Sequence, residues 1–113
     1  MARISYVELP AANVVATRDF YAAAFGFAFT DYGPDYASMT TGDVDIGING
    51  TEDQAIALPL PIVEVADLEG ALEKVVAAGG TLTVPIFAFP GGRRFHFRDP
   101  GGNQLGVFVN EPE

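Results

Sequence analysis

No cysteine occurs among the 113 residues. Its absence excludes disulfides, thiolate nucleophiles and zinc sites built on cysteine, and it favours the cytoplasm over an oxidising compartment. A cationic stretch followed by an apolar one is missing at the start of the sequence, so no secretory signal peptide is expected. Long apolar runs are missing too. The richest window, Ala55 to Ala66, is broken by Pro59 and Pro61 and is too short to span a bilayer. Basic side chains are scarce, six Lys and Arg against fifteen Asp and Glu, for a net charge of −9. That balance argues against nucleic acid and anionic membrane surfaces as partners. It is compatible with a small-molecule ligand, and most of the acids serve solubility.

What is present describes an ordinary globular chain. A hydrophobic content of 49% with 19% charged residues excludes a disordered composition, and the length suits one domain. Half of the scarce Lys and Arg, namely Arg93, Arg94 and Arg98, stand within six residues of one another around the only histidine, His96. There Arg94, His96 and Arg98 alternate with Phe95 and Phe97, the period of a strand with one charged and one apolar face. Pro100-Gly101-Gly102-Asn103 then forms a turn into a second strand.

Along the chain, Ile4 to Leu9 alternates as a strand, with Ile4, Tyr6 and Glu8 on one face and Ser5, Val7 and Leu9 on the other. Asn13 is placed to cap a helix from about Val14 to Phe25, with Thr17, Phe20, Tyr21 and Ala24 as its buried stripe and Gly26 as its stop. Strands are predicted over Phe27–Asp31, Tyr36–Thr40 and Val44–Asn49, with turns at Gly33-Pro34 and Gly42-Asp43. Gly50 to Leu58 reads as a linker. A second cycle follows: a strand at Leu60–Val65, Asp67 as a cap, and a helix over Leu68–Ala78 burying Leu68, Leu72, Val75 and Val76. Gly79-Gly80 stops that helix. A strand over Thr81–Pro85 comes next, then the Pro90-Gly91-Gly92 turn and the two strands around His96.

The halves superpose at a shift of 54 residues, which sets Asn13 on Asp67, Ala24 on Ala78, Gly26 on Gly80 and Tyr6 through Glu8 on Leu60 through Ile62. Internal duplication is the main architectural message of the sequence. It predicts an α+β fold of two tandem βαβββ modules. Their strands are expected to pair into one curved sheet of about eight strands around a cleft, with the helices on the outer face. The whole of 1–113 reads as a single domain, with module one at 1–50, the linker at 51–58 and module two at 59–113.

Asp19-Phe20-Tyr21-Ala22-Ala23-Ala24-Phe25-Gly26-Phe27 and Phe97-Arg98-Asp99-Pro100-Gly101-Gly102-Asn103-Gln104-Leu105, in this order, resemble the vicinal oxygen chelate superfamily over nearly the whole chain. That group includes glyoxalase I, extradiol dioxygenases, fosfomycin-resistance enzymes and bleomycin-resistance proteins. The resemblance implies paired βαβββ modules, a cup-shaped cavity and often a homodimer, but no single reaction. Metal-dependent members hold one divalent ion with a His or Gln on the first strand of each module and a Glu on the last. The matching positions here carry Tyr6 and Leu60 on the first strands, and Gly47 and Gly106 on the last. A Lewis-acid ion needs about three protein ligands. The expectation is therefore no metal and no other cofactor.

The same alternation places Glu8, Gln104 and Phe108 inward, with Asp45 and Asn49 flanking Gly47. Arg94 and His96 join them if Phe95 and Phe97 pack under the helix. His96 and Glu8 are the candidate catalytic residues, His96 as general acid/base and Glu8 as its orienter or as the base itself. Tyr6, Arg94, Gln104, Phe108 and Asp45 are the candidate ligand-binding residues, Arg94 offering a fork for a carboxylate or phosphate. The plainer reading has His96 and Arg94 only satisfying Glu8 and Asp45, Glu8 at a wet rim, and Tyr6 as a wall residue. Asp99 is read as the acceptor of an Asx turn. Arg93 and Arg98 are read as solvated or rim residues, and Tyr32, Tyr36, Phe87 and Phe89 as loop aromatics that either gate the cavity or pack.

Three functions follow. The first is a metal-independent small-molecule binding protein of the bleomycin-resistance type, holding its ligand in the cup between the modules. The second is a lyase or isomerase using His96 and Glu8. The third is a metal-dependent glyoxalase- or dioxygenase-type enzyme using unusual ligands.

Overall fold

A computed structural model describes residues 2–40, 43–51 and 58–111. Gly42 of the expected Gly42-Asp43 turn and most of the expected linker therefore lie outside the described residues. The fold is α+β, and the duplication is real in three dimensions. Module one carries β1 (Arg3–Pro10), α1 (Val14–Phe25), β2 (Thr30–Asp31), β3 (Tyr36–Met39) and β4 (Asp45–Asn49). Module two carries β5 (Leu60–Glu64), α2 (Leu68–Ala77), β6 (Thr81–Phe89), β7 (Gly92–Arg98) and β8 (Gln104–Asn110). By packing, one compact unit runs Tyr6–Leu60, and the other takes the chain from Pro61 together with the residues before Tyr6. In each module the first strand runs parallel to the last, β1 beside β4 and β5 beside β8, and the remaining pairs are antiparallel.

The helix ends follow from local chemistry. The Asn13 side chain accepts from Ala16 N at 3.0 Å and the Asp67 side chain from Gly70 N at 3.0 Å, so each first turn has one of its orphan donors satisfied. Gly26 stops α1 at φ 74, a left-handed cap that only glycine adopts without cost, and its N–H donates to Ala22 O. The expected equivalence of Gly26 with Gly80 does not extend to conformation. In module two Ala78 caps the helix in right-handed geometry, and the positive φ falls on Gly79.

Each helix covers one face of its own module. Val14, Ala37 and Ile48 form the core of module one, with Tyr21, Phe29 and Ile46 packed against them. Leu68, Phe95, Val107 and Val109 form that of module two, with Leu72, Val75 and Phe97. Two expected helix stripes are narrower than drawn. Phe20 is 61% exposed, Ala24 is exposed, and Val76 is 54% exposed. Each of Phe20 and Val76 stands next to the residue that does pack, Tyr21 or Val75. One step along a helix turns a side chain about 100° off the buried line.

Two strands also differ from expectation. Only Thr30–Asp31 of the predicted Phe27–Asp31 strand pairs, because Phe29 turns into the core and Phe27 packs against Phe25 with ring centroids 5.4 Å apart. β6 runs past Pro85 to Phe89. It lies at the edge of its module's strands, and Pro85 falls within a register irregularity, where no ladder donor is needed. Among the described residues no helix is long and apolar enough to cross a membrane.

Candidate functional site

Residues paired across neighbouring strands share a face, so register alone assembles a polar face in each module. In module one Tyr6 stands opposite Asp45, Glu8 opposite Gly47, Gly47 opposite Ser38, and Asn49 opposite Tyr36. All lie on the side away from α1. Glu8 is 2% exposed, which removes the wet-rim reading. A buried carboxylate is costly unless it is hydrogen-bonded. Here Tyr36 donates to Glu8 Oε2 at 3.3 Å and the Asn49 amide donates to Oε1 at 3.2 Å. The Tyr36 hydroxyl also meets that of Tyr6 at 2.5 Å. Asn49 is itself fixed, since its Oδ1 accepts from the backbone N–H and hydroxyl of Thr51 at 2.8 and 2.6 Å.

Gly47 lies beneath the two hydroxyls. A Cβ built there would come within 2.1 Å of the Tyr6 hydroxyl and 2.2 Å of the Tyr36 hydroxyl. The tyrosines therefore occupy the volume that any side chain at position 47 would need. Burial pushes the Tyr6 phenol above its usual value of 10.0; hydrogen bonds with Tyr36 and Ser38 pull the other way, and the Glu8 and Asp45 carboxylates add to the rise. A raised phenol pKa adds stability that is present below the unfolded phenol's pKa and lost as pH rises through the folded value. In an alkaline titration of phenolate absorbance Tyr6 should ionise late, and Tyr6→Phe should remove that late step. A titration unchanged by Tyr6→Phe would contradict the assignment.

In module two, Arg94 stands opposite Phe108, His96 opposite Gly106, and Arg98 opposite Gln104. Phe95 is fully buried under α2, so Arg94 and His96 face away from the helix, as expected; each is 5% exposed. The Gln104 amide nitrogen lies 3.4 Å from Nδ1 of His96. The Arg94 guanidinium lies over Phe87 and Phe89, with Cζ 5.2 and 5.6 Å from the ring centroids. Phe87 meets the His96 ring edge-on at 5.9 Å, and Phe89 meets Phe108 at 6.3 Å.

The candidate residues thus fall into two groups: Tyr6, Glu8 and Asp45 in module one, and Arg94, His96, Gln104 and Phe108 in module two. Two loop assignments are corrected, since Phe87 and Phe89 lie in β6; Tyr36, read both as a loop aromatic and as the start of a strand, opens β3. The Tyr36-Ala37-Ser38-Met39 alternation was the available signal for Tyr36 and Ser38. No local signal marks Phe87. Arg93 is a partly exposed residue on the helix side, paired with Glu69 at 2.5 Å and Glu111 at 2.8 Å. Asp99 is the Asx acceptor expected, taking the Asn103 N–H at 2.9 Å, and that bond holds its carboxyl below the usual range.

The residues at the four ligand positions do not fit a divalent ion. Leu60 is a buried hydrocarbon, Gly106 and Gly47 offer no donor, and the Tyr6 hydroxyl is engaged with Tyr36. At Gly106 a Cβ would meet Ile62 at 3.3 Å and His96 at 3.4 Å. Among the described residues no three His, Cys, Asp or Glu side chains come together as a metal site.

The family model described as Glyoxalase/Bleomycin resistance protein/Dioxygenase superfamily matches residues 3–107. No protein of curated function matches in sequence. Among solved structures, a glyoxalase/bleomycin resistance protein/dioxygenase superfamily member from Vibrio splendidus aligns at TM-score 0.74 and 17% identity, covering 98% of this chain and 100% of that one. The methylmalonyl-CoA epimerase of Mycobacterium tuberculosis aligns at TM-score 0.72 and 14% identity, over 96% of this chain and 87% of that one. A Legionella pneumophila protein described as an NAD-dependent benzaldehyde dehydrogenase aligns at TM-score 0.77 and 14% identity, over 94% and 98%. Activities so different on one scaffold make the likeness one of fold.

Proposed function

The chain belongs to the glyoxalase/bleomycin resistance protein/dioxygenase superfamily, and from that premise we propose that it is a small-molecule binding protein that works without the family's divalent ion. One observation carries the reading. At Gly47, a position where metal-dependent members hold a glutamate, two tyrosine hydroxyls tied to a buried carboxylate take up the space. The apolar set at Leu60, Ile62 and Gly106 supports it from module two.

Dialysed protein should carry far less than one equivalent of zinc, nickel, iron or manganese. A thermal-shift screen of metabolites and antibiotics should find a ligand whose effect is the same with and without a chelator. A ligand at 100 times its Kd stabilises by about 2.7 kcal/mol, which such a screen resolves. Stoichiometric metal that survives dialysis overturns the reading. A second reading, acid–base catalysis by His96 and Glu8 in a lyase or isomerase, draws support from the contact between His96 and the Gln104 amide, which orients the imidazole. With a ligand in hand, His96→Ala separates the two: an enzyme loses turnover while largely keeping affinity, and a binder loses affinity alone.

A further inference from the structure

Of the four asparagines, only Asn49 is followed by a glycine. An asparagine amide is thermolabile because the next backbone nitrogen can displace it, and a glycine leaves that nitrogen least hindered. Packing requires both members of this pair. Asn49 ends β4, paired with Pro10 of β1 on one side and Tyr36 of β3 on the other, and its amide donates to the buried Glu8. A Cβ at Gly50 would come within 2.7 Å of Val14 Cγ2 and 3.1 Å of the Ala11 carbonyl oxygen. A larger residue there would collide with the chain entering α1.

The folded chain engages both reacting groups in other bonds. The Gly50 N–H donates to the Asp35 carbonyl at 2.8 Å. Asn49 Oδ1 accepts from the Thr51 backbone N–H and hydroxyl at 2.8 and 2.6 Å, while its Nδ2 is held on Glu8 at 3.2 Å. The nitrogen can turn toward the side chain only when this end of β4 opens.

We propose that Asn49 is a site of deamidation gated by opening of the end of β4, and that its products keep module one from closing as before. In the opened chain the Gly50 nitrogen attacks Cγ of Asn49. Its proton leaves with the amide group as ammonia, and a cyclic imide closes. Water then opens the imide at either carbonyl, leaving aspartate or isoaspartate. Aspartate replaces the donor to Glu8 by a second carboxylate, where Glu8 is 2% and residue 49 is 4% exposed. Isoaspartate also lengthens the main chain by one carbon, which disturbs the pairing of β4 with β1 and β3. Neither effect depends on a ligand or a metal.

Peptide mapping by mass spectrometry on the full chain, held in mildly alkaline buffer, follows the reaction. Unfolded in urea, the chain should convert at Asn49 ahead of Asn13, Asn103 and Asn110, and Gly50→Ala should slow that conversion severalfold in the same urea. Without urea, Asn49 should convert at least about tenfold more slowly, the factor that an opening free energy of about 1.4 kcal/mol imposes. Asn49→Asp should melt several degrees below Asn49→Ala, or fail to fold where Asn49→Ala folds, because the charge costs more than the lost bond. Equal rates in the folded and unfolded chain overturn the inference. So does faster conversion at another asparagine in urea, or an Asn49→Asp chain as stable as Asn49→Ala.

Discussion

Gly47→Glu should cost about 3 kcal/mol of stability or more and should not bring a divalent ion with it. Replacing a glycine inside a strand ordinarily gains roughly 0.5–1 kcal/mol, because glycine loses the most freedom on folding. Here the sign reverses. The new Cβ would fall 2.1 Å from one tyrosine hydroxyl, 2.2 Å from the other and 2.8 Å from the Tyr6 ring. A hydroxyl at the end of a loose side chain would step aside cheaply, but these two are tied to each other, and Tyr36 is tied to Glu8. Moving them removes a donor from a carboxylate that is 2% exposed. Urea denaturation measures the loss, and isothermal titration with manganese or zinc tests for the ion. In a Tyr6→Phe/Tyr36→Phe background, Gly47→Ala should cost clearly less than in the wild type, because neighbours that collide do not add. Equal costs in both backgrounds would show that the hydroxyls are not what fills the space.

Gly92→Ala should be at least as damaging, about 3 kcal/mol or more, for a different reason. The Cβ would lie 1.9 Å from the Val109 carbonyl oxygen and 3.2 Å from the Glu111 nitrogen, both backbone atoms. Neither can move without parting β7 from β8, which pair there through Gly92–Asn110 and Arg93–Val109. Its neighbour makes the control. Gly91 sits at φ 109 with nothing nearer to its Cβ than Phe89 at 3.8 Å, so Gly91→Ala meets only the left-handed strain, roughly 1–2 kcal/mol. Chemical denaturation of the two variants should therefore rank Gly92→Ala well below Gly91→Ala. The reverse order would mean that turn conformation, not close approach, governs this hairpin.

The legible part of this chain was whatever a strand or helix period and a cap could express. Asn13 and Asp67 announce two helices by short-range chemistry, and each does cap one. The alternation of Arg94 and His96 with Phe95 separates a polar face from a core face, because successive strand residues must point apart. The same arithmetic set Glu8, Asp45 and Asn49 on one side. Phe20 shows where such reading stops: helical spacing offers several stripes, and the sheet beneath accepts only one.

By itself, then, the sequence determined the duplicated α+β plan, the face on which each polar residue stands, and the absence of donors at Leu60, Gly47 and Gly106. Those are properties of residue type and of periods a few residues long. Only the tertiary structure decided that Tyr36 reaches Glu8, that two hydroxyls fill the space over Gly47, and that Phe87 instead of Pro85 backs Arg94. Each of these depends on where one strand is set against another. A single-residue irregularity changes that setting without leaving a mark in the alternation.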